Sequence, residues 1–306
     1  MVNMKYYLIL LISVFLSLGI GISIGISLES KDVLEKQHSI LVQRLEQEFA
    51  VMRSENQQLK EALASLEETE RENKKTYESI FNSIVKNKLD GLKVSLIEVG
   101  DQGDFSSIIS LLKISGASIE TSITFESKLF EENPSLDDAI IASSQIGADK
   151  SQLYSQLAED IMYSLLTGAS TPLIKDLNRL NLLHSSMSVQ NSYDVIILAC
   201  NDTSSNKKNV EQFNNSFIGL CKEYDIPIIV VENQENNLID IDQYKKMGIS
   251  TVDHVNTLYG KLSLISLLYG NTGNYGYKEG CQGILPDELF PADIYFEKND
   301  EVIEVE

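Results

Sequence analysis

The chain has no tryptophan, and its 306 residues include only three cysteines, three histidines and five prolines. Cys200, Cys221 and Cys281 are too few and too scattered for a disulfide framework, and no two of them form a C-x-x-C pair. Three buried thiols are expected, with one disulfide and a leftover thiol as the alternative. His38, His184 and His254 build no H-E-x-x-H, and no G-x-S-x-G accompanies them. A histidine general base would have to be His184 or His254, in no recognisable context, so the chain reads as non-enzymatic. Positive charge is also scarce. Lys and Arg number 25 against 45 Asp and Glu, a formal net charge of −20. Nucleic-acid binding requires cations that neutralise phosphates, which excludes a polyanion partner.

What is present is a folded composition, 43% hydrophobic and 23% charged, arranged unevenly along the chain. Tyr6 to Leu28 contains no charged residue. At 1.5 Å per residue this run spans roughly 34 Å, enough to cross a hydrocarbon core. A cleavable signal peptide would have a shorter apolar region, so the reading is a retained transmembrane helix over 6–28 after a short tip at 1–5. Lys5 and the amino terminus precede the span, and a mixed set of Glu29, Lys31, Asp32 and Glu35 follows it. The positive-inside rule then predicts a cytoplasmic N-terminus and an exported bulk in a single-pass protein. Ser13, Ser17, Gly21 and Gly25 recur every four residues, a stripe of small side chains that lets two membrane helices approach closely.

From 29 to 88 there is neither Pro nor Gly, and charges alternate with apolar residues. Leu45, Phe49, Met52, Asn56, Leu59, Leu63 and Leu66 keep the 4-3 spacing of a heptad seam. The 4-4 step from Leu41 through Leu45 to Phe49 marks a stutter. Asn56 occupies a core position, where a polar residue fixes register and strand number. The segment predicts a parallel coiled-coil stalk on the order of 88 Å long that pairs two copies of the chain. A helix folded back on the domain is the alternative. His38 reads as a polar spacer in the seam.

An α/β domain is expected over 89–285, with a helical insertion about 134–185 and an acidic tail over 286–306. Lys93–Val99, a helical pattern over Phe105–Ile114 and the alternating Ala117–Phe125 form a strand–helix–strand unit of a parallel sheet, Rossmann-like or flavodoxin-like. Pro134 and Ser135 mark a turn, and Ser151–Leu166 and Pro172–Leu183 read as helices. Asp194–Cys200 and Pro227–Val231 are continuous apolar runs, as in strands buried on both faces, with a helix over Val210–Tyr224 between them. A short strand near Ile249–Val252 precedes an apolar helix from Thr257 to Tyr269.

Loops after parallel strands are the usual ligand positions. Gly100-Asp101-Gln102-Gly103 lacks both G-x-G-x-x-G and a P-loop lysine, so it reads as a connection. Cys200-Asn201-Asp202 ends a strand with no second Cys or His nearby in sequence, and Asp240 and Asp242 read as turn or helix-start residues. Cys200, Met187 and His184 are weak metal-ligand candidates. The most unusual stretch is Gly270 to Lys278, in which Gly273, Asn274, Tyr275 and Gly276 form a tight loop: a helix stop with an aromatic lid, or a ligand or partner surface.

Two of these segments carry a family likeness. Val14 to Gly25 resembles the opening "VFLALGIGxxxG" helix of the MctB-like family of bacterial copper transport proteins, which continues into a coiled coil. Gly273-Asn274-Tyr275-Gly276 is similar to that family's closing G-H-Y-G motif, with Asn274 where the motif has His. The resemblance implies a role in copper transport or homeostasis at the cell envelope, in the bacterial plasma membrane. For members resembling SteB it implies instead a scaffold that meets a second membrane protein and supports cell separation. Copper as ligand rests on the resemblance alone. Cu(I) favours thiolate, thioether and imidazole, and the exported part has no M-x-x-M cluster.

Overall fold

The computed structural model describes residues 4–100, 106–131, 152–187, 193–200, 207–233 and 241–291, with the side chains of 28–34 and of Met187 excepted. The Gly100 loop beyond Gly100 itself, the Pro134 turn, Asn201, Asp202, Asp240 and the chain after Pro291 lie outside the described residues. The chain divides into two units, Met1–Tyr77 and Glu78–Glu306.

The first unit is helical, part of helix α1, Met4–Val85. Absence of Pro and Gly between 29 and 85 lets the i→i−4 ladder run without a break. Its segment Met4–Ser27 has a mean hydropathy of 2.5 and is long and apolar enough to cross a membrane. The small-residue stripe carries no unmet hydroxyl. Ser13 Oγ donates to the Leu10 carbonyl and Ser17 Oγ to that of Val14. The seam residues Leu45, Phe49, Met52, Leu59, Leu63 and Leu66 are all 50–70% exposed.

The second unit holds a mixed α/β fold around a seven-stranded sheet. In chain order its elements are the end of α1, β1 (Lys93–Val99), α2 (Ser106–Ser115), β2 (Ser118–Phe125), α3 (Leu153–Thr167), α4 (Pro172–Arg179), β3 (Leu183–Met187), β4 (Val195–Cys200), α5 (Lys207–Glu223), β5 (Ile228–Glu232), α6 (Ile241–Lys246), β6 (Ser250–Val252), α7 (Leu258–Leu268) and β7 (Asn274–Tyr275). The strand order is β3-β2-β1-β4-β5-β6-β7. Neighbours pair in parallel throughout, except that β3 runs antiparallel to β2. A helical reading as far as Leu183 is replaced there by an edge strand. Helix α4 stops at Arg179, Asn181 takes a positive φ of 54°, and the chain turns back to pair with β2.

Alternation along the strands sends side chains to two faces, and helices cover both. On one face Ile97, Val99, Ile196, Leu198, Val230 and Phe125 pack against α3, α4, α5 and α6. On the other, Val94, Leu96, Ile197 and Val231 pack against α2, α7 and the end of α1, where Phe81 and Val85 are buried. Helices α3 and α4, from the segment expected as an insertion, therefore belong to one covering layer of the sheet. The start of the expected tail also packs down. Phe290 meets the Tyr269 ring at 5.2 Å, and the Leu289 carbonyl accepts from Ser266 Oγ at 2.8 Å.

Candidate functional site

The carboxyl ends of β4, β5 and β6 bring together Cys200, Glu232 and the Asp253-His254 pair. Cys200 lies opposite Glu232 in the β4–β5 register. Both are fully buried, as is Asp253, one residue beyond β6. A buried carboxylate is tolerable only when its oxygens find donors. The loop after β7 supplies them.

Asp253 accepts the backbone N–H of Tyr277 and that of Lys278, each at 2.8 Å, and lies 2.6 Å from His254 Nδ1. Cys281 Sγ donates at 3.4 Å to Oδ2, the oxygen that also takes the Lys278 N–H. Since Asp253 is the acceptor, the imidazole proton belongs on Nδ1. Glu232 forms an ion pair with Lys278 Nζ. Gly276 makes the arrangement possible. Its φ is 144°, and a Cβ there would sit 2.0 Å from Asp253 Oδ1, so only glycine lets the chain cross the carboxylate.

A second close approach holds the other side. Gly260, in the first turn of α7, has its Cβ position 2.3 Å from the His254 carbonyl oxygen. Thr257 caps that helix by accepting from Gly260 N at 3.1 Å, and its hydroxyl donates to the same His254 carbonyl at 2.8 Å. His254 takes a positive φ of 52°, and its ring lies 5.0 Å from the half-exposed Tyr277 ring at an interplanar angle of 55°. The loop 276–281 is thus clamped over the carboxyl ends of β5 and β6 by Glu232 and Asp253, with His254 and Tyr277 at the solvent margin.

Asn274, where the closing motif has His, is buried. Its amide donates to the Ile249 carbonyl at 3.0 Å and to Thr251 Oγ1 at 2.9 Å. It fastens β7 to β6 from within. Tyr275 hydroxyl donates back to the Thr272 carbonyl at 3.2 Å, and Gly273 N donates to Ser250 Oγ at 3.1 Å.

The three weak ligand candidates do not meet. Cys200 ends β4 with Asn214 Nδ2 at 3.2 Å from its sulfur. His184 and Met187 are on β3, opposite Thr124 and Thr121, and β2 and β1 intervene before β4, about 14 Å at ordinary strand spacing. His184 Nε2 faces Glu126 at 3.3 Å. Among the described residues no three His, Cys, Asp or Glu converge to hold a metal ion. All three cysteines are free thiols. Burial first, then the Glu232 carboxylate, pushes the Cys200 thiol up to about 12. Burial and then Asp253 do the same to Cys281, and burial alone to Cys221. At neutral pH these groups are thiols, while Cu(I) binds the thiolate.

Sequence reasoning singled out Gly270–Lys278, Lys278 included, and expected a tight loop where Asn274–Tyr275 is strand β7; it did not connect that stretch to Asp253 and Glu232. Asp253, Glu232, Lys278 and Cys281 come from three separate segments. The one local hint was the charge that ends the apolar run Ile228–Glu232.

An apolar helix at one end and a closing glycine loop at the other thus bracket the whole fold. The family model described as "Copper transport outer membrane protein, MctB" matches residues 1–286. The chain belongs to the MctB family. No curated protein matches the sequence. The MctB match takes in the apolar helix, the heptad seam and every described strand, and it ends just after the clamped loop.

Proposed function

We propose that the chain is a single-pass membrane protein that takes part in copper transport or homeostasis at the bacterial cell envelope. The observation that carries this reading is the family match over 1–286. Copper is cargo here, handled without enzymatic chemistry. The span Met4–Ser27 is helical, the form in which chains cross a cytoplasmic membrane, and this supports a plasma-membrane location. The basic residue before the span supports a cytoplasmic N-terminus and an extracytoplasmic α/β unit. The parallel strands in the order β2-β1-β4-β5-β6, with β3 added antiparallel at the edge, support a flavodoxin-like rather than a Rossmann-like sheet. The chain works as a homodimer joined through α1, together with a second envelope protein and no nucleic acid, and the 273–276 loop belongs to the partner-facing edge.

Cells lacking the protein, grown under copper load, are expected to differ from the parent in total copper by elemental analysis. The full chain restores the parental level. Unchanged copper content and tolerance in the deletion strain would overturn the reading. A second reading, a scaffold that supports cell separation, is favoured by the separation of Cys200 from His184 and Met187. It predicts disturbed cell separation with copper content unchanged when heptads between 45 and 66 are deleted.

A further inference from the structure

We propose that residues 45–66 form a parallel, in-register, two-stranded coiled coil with a second copy of this chain. The inference rests on the homodimer reading above and adds the register of the parallel pair and the charge pairs that set it.

With Leu45, Met52, Leu59 and Leu66 at d positions, the a positions fall on Phe49, Asn56 and Leu63. Leucine at d favours two strands, and a single asparagine at a is best satisfied by the same asparagine of an in-register partner. The seam is exposed on the single chain over its whole length, so its apolar surface has no intrachain cover.

Charge chooses the direction. Flanking the seam, g holds Glu48, Glu55 and Ala62, and e holds Arg53 and Lys60 in its middle with Glu46 and Glu67 at its ends. In a parallel in-register pair, g of one helix meets e of the next heptad on its partner. Glu48 then faces Arg53, and Glu55 faces Lys60, on both sides of the dimer. An antiparallel pair would set g against g, placing glutamate beside glutamate. Among the described residues none of Glu48, Arg53, Glu55 and Lys60 makes an ion pair within its own chain. Anchorage agrees, because the same helix carries Met4–Ser27, and two copies held in one membrane enter it from the same end.

The test uses the full chain in detergent and in membranes. Leu59→Cys is expected to cross-link with itself under mild oxidation, while a mixture of Leu45→Cys and Leu66→Cys chains gives no mixed dimer. Mixed 45–66 cross-links with no 59–59 product would overturn the orientation and leave the homodimer reading intact. A monomer by analytical ultracentrifugation would overturn both. Charge tests the register separately. Glu48→Lys with Glu55→Lys, and Arg53→Glu with Lys60→Glu, are each expected to weaken self-association by at least about tenfold, since each exposed pair turns from attractive to repulsive. Mixing the two variants is expected to restore pairing. Failure to restore it would overturn the register.

Discussion

Helix 4–77 and the α/β unit dispose of their apolar residues in opposite ways. In the α/β unit Phe125, Phe130, Phe213 and Phe217 are fully buried between the sheet and its helices. In the helix Phe15 and Phe49 are more than half exposed, as are nearly all their large apolar neighbours. The first region therefore completes its core from its own sequence. The second must find lipid or another chain, because a lone helix gains too little from propensity to offset its ordering. The same substitution should accordingly have different consequences in the two regions. Phe213 contacts Phe125 at 5.1 Å, Phe217 at 5.8 Å and Phe130 at 6.0 Å between ring centres. Phe213→Ala is expected to cost about 3–5 kcal/mol of α/β stability, read by urea-dependent amide exchange of β4 and β5. Phe49→Ala should leave that exchange unchanged and weaken dimerisation. Equal effects on the exchange would break the distinction.

The comparison sharpens at the clamped loop, where the α/β unit buries charge rather than hydrocarbon. Lys278 keeps 16% of its side chain exposed, but Glu232 has none. Removing only the cation leaves the buried Glu232 carboxylate without its counter-charge. Lys278→Met is expected to destabilise the unit by roughly 3 kcal/mol, the low end for a broken buried pair because Lys278 is partly hydrated. Glu232→Gln added to Lys278→Met should recover part of that loss. A single substitution that costs nothing would mean the pair does not hold the loop.

The two regions also differed in how far they could be read. Helix α1 follows from local pattern alone, since charge-free and heptad segments declare themselves within a few turns. Strands β1, β4 and β5 were legible from continuous apolar runs bounded by turns. Strand β3 was not, because Leu183-His184-Ser185-Ser186-Met187 has neither β-branched residues nor apolar alternation. It is a strand because β2 presents an open edge to it. The 273–276 loop was conspicuous for its glycines, yet the reason for Gly276 is the Asp253 carboxylate 23 residues earlier in the chain. Spacing within a sequence carries no record of such a contact.

Alkaline pH gives a third, smaller contrast. The thiols of Cys200, Cys221 and Cys281 are raised in the folded unit from 9.0 to about 12, with burial the main cause in each. A folded pKa above the unfolded one means that folding favours the protonated thiol. That stability is fully present below pH 9 and is lost as pH rises towards 12. Thermal midpoints of the α/β unit are expected to fall by several degrees across this window. Cys221→Ala should flatten the slope, and a slope unchanged by it would remove burial of this thiol as a contributor.

The smallest effect is expected where the family likeness points most directly to metal. Asn274→His restores the closing motif, but the site it enters is interior. The asparagine is 4% exposed and spends both amide hydrogens on β6 and its approach, at Ile249 and Thr251. A neutral imidazole has one N–H to give, so it keeps one of these bonds and loses the other, at a cost of about 1 kcal/mol. The remaining ring nitrogen then faces protein rather than solvent, with no cysteine or histidine among the partners that Asn274 now touches. Titration of the variant with Cu(I) is therefore expected to match that of the native chain. A new micromolar site would show that β7 releases the side chain outward, and residue 274 would then belong with the exposed surfaces of the molecule rather than with its buried ones.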